Sequence, residues 1–149
     1  MVADFLPSRG VRLELDSRDK ASVIKELVSL LCEVYGLDEK KVLEAVLKRE
    51  EMMSTGVGYG VAIPHAKIEG ITTPKLVGGL VREGLDFDSI DGRPAKIFFL
   101  LVSPREGAGD HVNILSELSK ILNKPEAREE ILAAGDAGEF IAALRRFSS

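Results

Sequence analysis

The stretch AKIFFLLVS, Ala95–Ser103, is apolar without a break from Ile97 to Val102. A strand sends successive side chains to opposite faces, so a strand that is apolar at every position must be covered on both sides. This run therefore reads as the central strand of a sheet with layers packed above and below it. The rest of the chain supplies material for those layers. KLVGGLVRE, Lys75–Glu83, reads as a second strand, and VRLEL, Val11–Leu15, alternates apolar and polar residues as a half-buried strand does. Val61–Ile63 is a fourth, shorter candidate.

Helical patterns alternate with these strands. One is expected over Arg18–Tyr35, capped by Asp16 or Ser17 and ended by Gly36. A second opens at Asp38 and runs to about Met53, and a third runs from about His111 to Leu122. Two shorter helices are expected near Pro125–Ala133, where proline suits the first helical position, and over Ala137–Arg146. GLDFDSIDGRP, residues 84–94, reads as a loop turning at Asp91-Gly92, and PREGAGD, residues 104–110, as another loop. The pattern predicts an α/β fold, a single domain over residues 1–149 with a small mixed β-sheet flanked by helices.

Composition narrows the function. A net charge of −4 and an aromatic content of 5% give neither the basic footprint nor the stacking platforms of a nucleic-acid binder. Cys32 is the single cysteine, which excludes an internal disulfide and reads as a small core residue. No apolar run approaches a membrane span, and MVADFLPSRG lacks the order of a secretion signal, so a soluble cytoplasmic protein without direct membrane insertion is expected.

The chemistry concentrates in STGVGYGVAIPHAK, residues 54–67. Gly56, Gly58 and Gly60 alternate, but a helix precedes them and a strand follows, the reverse of a dinucleotide-binding fingerprint. They form either a flexible turn or a floor that a phosphate or a partner's backbone can approach closely. Pro64 stiffens the chain and holds Ile63 extended, so His65 leaves the end of a strand in a restricted direction. His65 is either a satisfied structural residue or a nucleophile or general base. No ligand cluster has zinc spacing, and neither a metal nor a cofactor is expected.

His111 precedes Leu115, Leu118 and Leu122 by 4, 7 and 11 residues, which puts it on the apolar face at a helix start. That end of a helix favours anions and disfavours an imidazolium. His111 is thus either a partly buried residue of the helix start or a neutral histidine beside an anion site. Arg49 fits a stripe with Val42, Val46 and Met53, where it either snorkels or is held inward to bind an anion or carbonyls.

The combination Arg49-Glu50…Ser54-Thr55-Gly56…Pro64-His65 resembles the signature of enzyme IIA of the bacterial sugar phosphotransferase system, of the fructose/mannitol type that includes the nitrogen-regulatory branch. FDSIDGRPAKIFFLLVSP and DHVNILSELSKIL resemble later segments of that family, so the likeness spans nearly the whole chain. It implies a phosphocarrier with His65 as the phosphorylated histidine, His111 as the second histidine and Arg49 beside them. It implies an HPr-type donor and a IIB cysteine as acceptor or, in the nitrogen-type branch, target proteins bound according to phosphorylation state. Ser54, Thr55, Gly56, Gly58, Tyr59 and Gly60 are the implied phosphoryl- and partner-binding segment. Tyr59 stands where the family pattern carries a small or amide residue.

Overall fold

The computed structural model describes residues 1–107 and 109–148. Ala108, inside the expected loop 104–110, and Ser149, the end of the expected domain, lie outside the described residues. Six strands form one mixed sheet: Val11–Arg12 (β1), Gly56–Gly58 (β2), Val61–Ala62 (β3), His65–Ile68 (β4), Lys75–Leu85 (β5) and Ala95–Pro104 (β6). Five helices accompany it: Lys20–Tyr35 (α1), Glu39–Met52 (α2), Gly109–Leu122 (α3), Pro125–Leu132 (α4) and Ala137–Phe147 (α5). The fold is the expected single-domain α/β arrangement.

The strand order is β1-β5-β6-β3-β2, and β4 also pairs with β6. The apolar run is indeed central. β5 lies antiparallel on one side of β6, and β3 and β4 lie parallel on the other. Its alternation feeds two cores. Phe98, Leu100 and Val102 join the apolar residues of α1 and α2, and Ile97, Phe99 and Leu101 join those of α3, α4 and α5. All six are at most 1% exposed, which is why no polar residue interrupts the run.

Three local readings change. β1 covers only Val11–Arg12, because the chain then bends to lay Leu15 over Gly79. A Cβ at Gly79 would stand 2.8 Å from the Leu15 side chain, so glycine is what permits this crossing. The cap of α1 is Asp19, which accepts from the Ser22 N–H, rather than Asp16 or Ser17; the Ser17 hydroxyl donates to Glu26 instead. Gly36 ends α1 in the left-handed region, as expected.

The third change concerns the stretch around His65. It does not leave the end of a strand; it opens β4. Ala62 pairs with Phe98 and His65 with Leu101, so the register along β6 is kept across Ile63 and Pro64. Pro64 has no N–H to give the ladder, but its carbonyl accepts from Leu101 N at 3.0 Å, and pairing resumes one residue later. β3 and β4 are in effect one strand broken at the proline, and His65 stands at the break.

Candidate functional site

His65 is half-buried, and its Nδ1 lies 2.8 Å from the Ile63 carbonyl oxygen. A carbonyl only accepts, so Nδ1 carries the proton and donates, and Nε2 keeps its lone pair. Burial holds the His65 imidazole below its ordinary pKa; the nearby Arg49 charge adds to this, against the Ile63 carbonyl and Glu50. The ring is therefore neutral near pH 7, with Nε2 as its free nucleophilic nitrogen.

The second histidine faces the first. The two imidazole centroids are 5.5 Å apart and the rings are inclined at 58°. His111 sits in the first turn of α3, buried to 6% exposure, and shares a 2.7 Å hydrogen bond between Nδ1 and the Ser103 hydroxyl. Burial first, then the charges of His65 and Lys67, push its pKa down to about 4. The inward position that the leucine spacing gave His111 is the one it occupies.

Arg49 is half-buried, and its guanidinium donates to the Met53 carbonyl at 3.0 Å, across the end of α2. Met53 does not belong to the apolar stripe: it has extended backbone and is 64% exposed. The inward residue of the last turn is Glu50, 7% exposed, in line with Val42 and Val46. Its carboxylate accepts from Thr55 N at 2.8 Å and from the Thr55 hydroxyl, and pairs with Lys20 at 3.0 Å. The Ser54 hydroxyl donates to the Phe87 carbonyl at 2.9 Å and accepts from Gly56 N. Ser54 and Thr55 thus brace the entry to the glycine turn.

Sequence reading assigned Glu50 no role. The available signal was its spacing, four residues beyond Val46 and eight beyond Val42, which sets a carboxylate on the buried face of α2. Removing it orphans a buried N–H and a buried hydroxyl and leaves the Lys20 ammonium with Asp88, at 3.6 Å, as its acidic partner. Glu50→Ala is expected to lower unfolding stability by about 2–4 kcal/mol. Urea denaturation at pH 7 measures this, and a loss under about 1 kcal/mol would mean that the turn does not depend on Glu50.

The turn is tight. Gly58, Tyr59 and Gly60 all have positive φ, and Tyr59, at 58°, adopts a conformation costly for a bulky side chain. It is held by the Asp91 carboxylate, which accepts from Tyr59 N at 2.9 Å, and by Arg128, whose guanidinium carbon lies 4.9 Å from the ring centroid. Among the described residues no hydrogen bond joins Ser54, Thr55 or the turn to either imidazole, and no group of three or more His, Cys, Asp or Glu is placed to hold a metal ion. No helix of the described residues is long and apolar enough to cross a membrane.

Apart from Met1, the large hydrophobic side chains most exposed to solvent are Met52, Met53, Val57, Tyr59, Ile90 and Val112. Each lies next to the site in the chain or through a backbone bond. Met53 receives Arg49, Ile90 N donates to Gly56 O, and Val112 follows His111. A groove of about 380 Å³ runs between the turn and α3, lined by Val57, Tyr59, Ser119, Lys120 and Asn123 among others. Ile63, which also lines this groove, is a core residue at 3% exposure and not part of the exposed surface with Val57 and Tyr59.

Known proteins share the sequence pattern and the fold. The family model for "Phosphoenolpyruvate-dependent sugar phosphotransferase system, EIIA 2" matches residues 4–147. The fructose-specific EIIA component of Haloferax volcanii is 36% identical over 134 residues, 89% of this chain and 87% of that protein. The fructose-specific EIIABC component of Bacillus subtilis is 34% identical over 134 residues, 89% of this chain, which spans only 21% of that longer protein. Among solved structures, the nitrogen regulatory protein IIA-Ntr of Neisseria meningitidis superposes with a TM-score of 0.91 at 31% identity, covering 96% of this chain and 98% of that one.

Proposed function

The chain belongs to the EIIA 2 family of the phosphoenolpyruvate-dependent sugar phosphotransferase system, and from that premise we propose that His65 Nε2 takes a phosphoryl group from a phosphorylated HPr-type protein and passes it to a IIB cysteine in sugar uptake. On this reading residues 1–149 act as one EIIA domain, in the cytoplasm with its partner proteins. The observation that carries the proposal is the bond from His65 Nδ1 to the Ile63 carbonyl, which leaves Nε2 free on a ring whose centroid lies 5.5 Å from that of a second neutral imidazole.

The step needs positioning and charge compensation more than it needs bond-making groups. The Nε2 lone pair attacks phosphorus, the Nε2–P bond forms, and the donor's N–P bond breaks with its electron pair returning to the donor nitrogen. His65 keeps its Nδ1 proton, so the phosphorylated ring gains positive character and the Ile63 carbonyl accepts from it more strongly. A IIB thiolate then attacks phosphorus, the Nε2–P bond breaks, and the ring returns to neutral. Arg49 and His111 hold the phosphoryl oxygens, and the Ser54–Gly60 segment shapes the surface on which partners dock. Incubation with phosphoenolpyruvate, enzyme I and HPr, followed by intact mass, should show a gain of one phosphoryl group; an unchanged mass contradicts the reading.

Two proteins must exchange the group across an open face, which suits the exposed apolar rim of Met53, Val57, Tyr59 and Val112 around a half-buried histidine. Tyr59→Glu places a charge in that rim. It is expected to raise the apparent KM for the donor or acceptor protein about tenfold with the fold intact. Equal KM values for both partners across a concentration series remove Tyr59 from the docking surface.

A second reading is favoured by the superposition on IIA-Ntr. Here the same phosphohistidine chemistry serves regulation, and target proteins bind one phosphorylation state over the other. Transfer of phosphate from the chain to a IIB protein supports the first reading; stable retention of the phosphoryl group with state-dependent capture of a non-IIB protein supports the second.

A further inference from the structure

We propose that Ser103 is a positioning residue: its hydroxyl donates to Nδ1 of His111 and so fixes the proton of that imidazole on Nε2, the nitrogen that can donate to a phosphoryl group on His65. The proposal rests on the phosphocarrier reading for its purpose, but its structural content is independent of that reading.

Ser103 is the polar end of a strand otherwise built for burial. It is 1% exposed, on the face of β6 that carries Ile97, Phe99 and Leu101 toward α3. A buried hydroxyl needs a partner, and the one hydrogen bond this hydroxyl makes among the described residues is to His111 Nδ1, at 2.7 Å.

The direction of that bond follows from counting protons. A neutral imidazole has one N–H. With that proton on Nδ1, it would be donated to the serine oxygen, and the hydroxyl hydrogen would be left buried with no acceptor. With it on Nε2, the hydroxyl donates to the Nδ1 lone pair, and no buried donor of this pair is orphaned. An orphaned buried donor costs about 1–3 kcal/mol, enough to make the Nε2–H form dominant.

The sheet then orients both imidazoles from one strand. β6 holds His65 through the pairing of His65 with Leu101, and it holds His111 through Ser103, which pairs with Lys67 two residues further along. The two histidines end in opposite tautomers. The Ile63 carbonyl puts the proton of His65 on Nδ1 and leaves Nε2 to attack; Ser103 puts the proton of His111 on Nε2 and leaves it to donate. A nucleophile and a donor are thereby set from side chains of one residue type.

The test is a two-bond proton–nitrogen correlation spectrum of the histidine rings in the full chain at pH 7, for the wild type and Ser103→Ala, with a thermal melt of each. In the wild type the expected result is Nε2–H for His111 and Nδ1–H for His65. In Ser103→Ala, His111 is expected to populate both tautomers while His65 is unchanged, and phosphoryl transfer to a IIB protein is expected to fall about tenfold. A predominant Nδ1–H form of His111 in the wild type overturns the proposal. So does an unchanged His111 tautomer in Ser103→Ala, whatever its transfer rate. A wild type that takes no phosphoryl group from HPr overturns the phosphocarrier reading instead, and the tautomers still decide the role of Ser103.

Discussion

His65→Ala is expected to take up no phosphoryl group from phosphorylated HPr, a loss on the order of 10³-fold or more, as for the removal of any nucleophile. The fold should survive. His65 is half-buried at the break between β3 and β4, and the backbone bonds that hold that break, Ile63 N to Thr55 O and Leu101 N to Pro64 O, do not involve its side chain. The loss is therefore chemical, and no neighbour can replace it. His111 has its Nδ1 bound to Ser103 and is 6% exposed, so an incoming phosphoprotein reaches its ring poorly. Labelled His65→Ala protein, with the phosphoryl group on another histidine, would assign the nucleophile elsewhere.

His111→Ala should behave differently in two respects. Acceptance of a phosphoryl group should persist, because Nε2 of His65 is presented by the Ile63 carbonyl and not by His111. Onward transfer should slow by about 10²–10³-fold, the usual cost of one aligned donor at a reacting centre. The second effect is on stability against pH. His111 has a pKa of about 4 in the folded chain against an ordinary 6.5, so the unfolded chain binds a proton that the folded one refuses. The stability tied to this neutral ring is fully present above pH 6.5 and is lost as pH falls toward and through about 4. Its size over that window is roughly 3 kcal/mol. His65, shifted in the same direction, adds to the slope. Urea denaturation between pH 7 and pH 4 should show a shallower decline for His111→Ala than for the wild type. Parallel curves would mean that the buried imidazole is not what refuses the proton, and abolished acceptance by a folded variant would give His111 a larger part in the first step.

The layers of this fold were legible where one residue type repeats with a period. Ile97 to Val102 announced a strand covered twice because each parity feeds a separate core. Gly36, Asp38 and Pro125 marked helix ends because their backbone preferences act locally. β2 and β4 were not legible. Gly56–Gly58 has no side-chain pattern beyond one valine, and His65–Ile68 is a strand only because β6 offers its edge. A tertiary partner of that kind has no local signal.

The site divides in the same way. His65 and His111 stood out by type and position, but their mutual distance depends on β6, which lies between them in sequence and beneath them in space. The stripe on α2 points to Arg49, but the structure turns Glu50 inward and leaves Arg49 across the helix end. In the sequence Ser103 is only the last residue of a strand. Its meaning appears when α3 brings an imidazole to its hydroxyl.

The central claim is that the phosphoryl group travels on His65. Trypsin separates the two histidines, since cleavage after Arg49 and Lys67 releases Glu50–Lys67 with His65, and cleavage after Arg105 and Lys120 releases Glu106–Lys120 with His111. The chain is incubated with phosphoenolpyruvate, enzyme I and HPr, digested at alkaline pH to spare the N–P bond, and both peptides are weighed. The account predicts a gain of one phosphoryl group on Glu50–Lys67 and none on Glu106–Lys120; a gain on Glu106–Lys120, or on neither peptide, contradicts it.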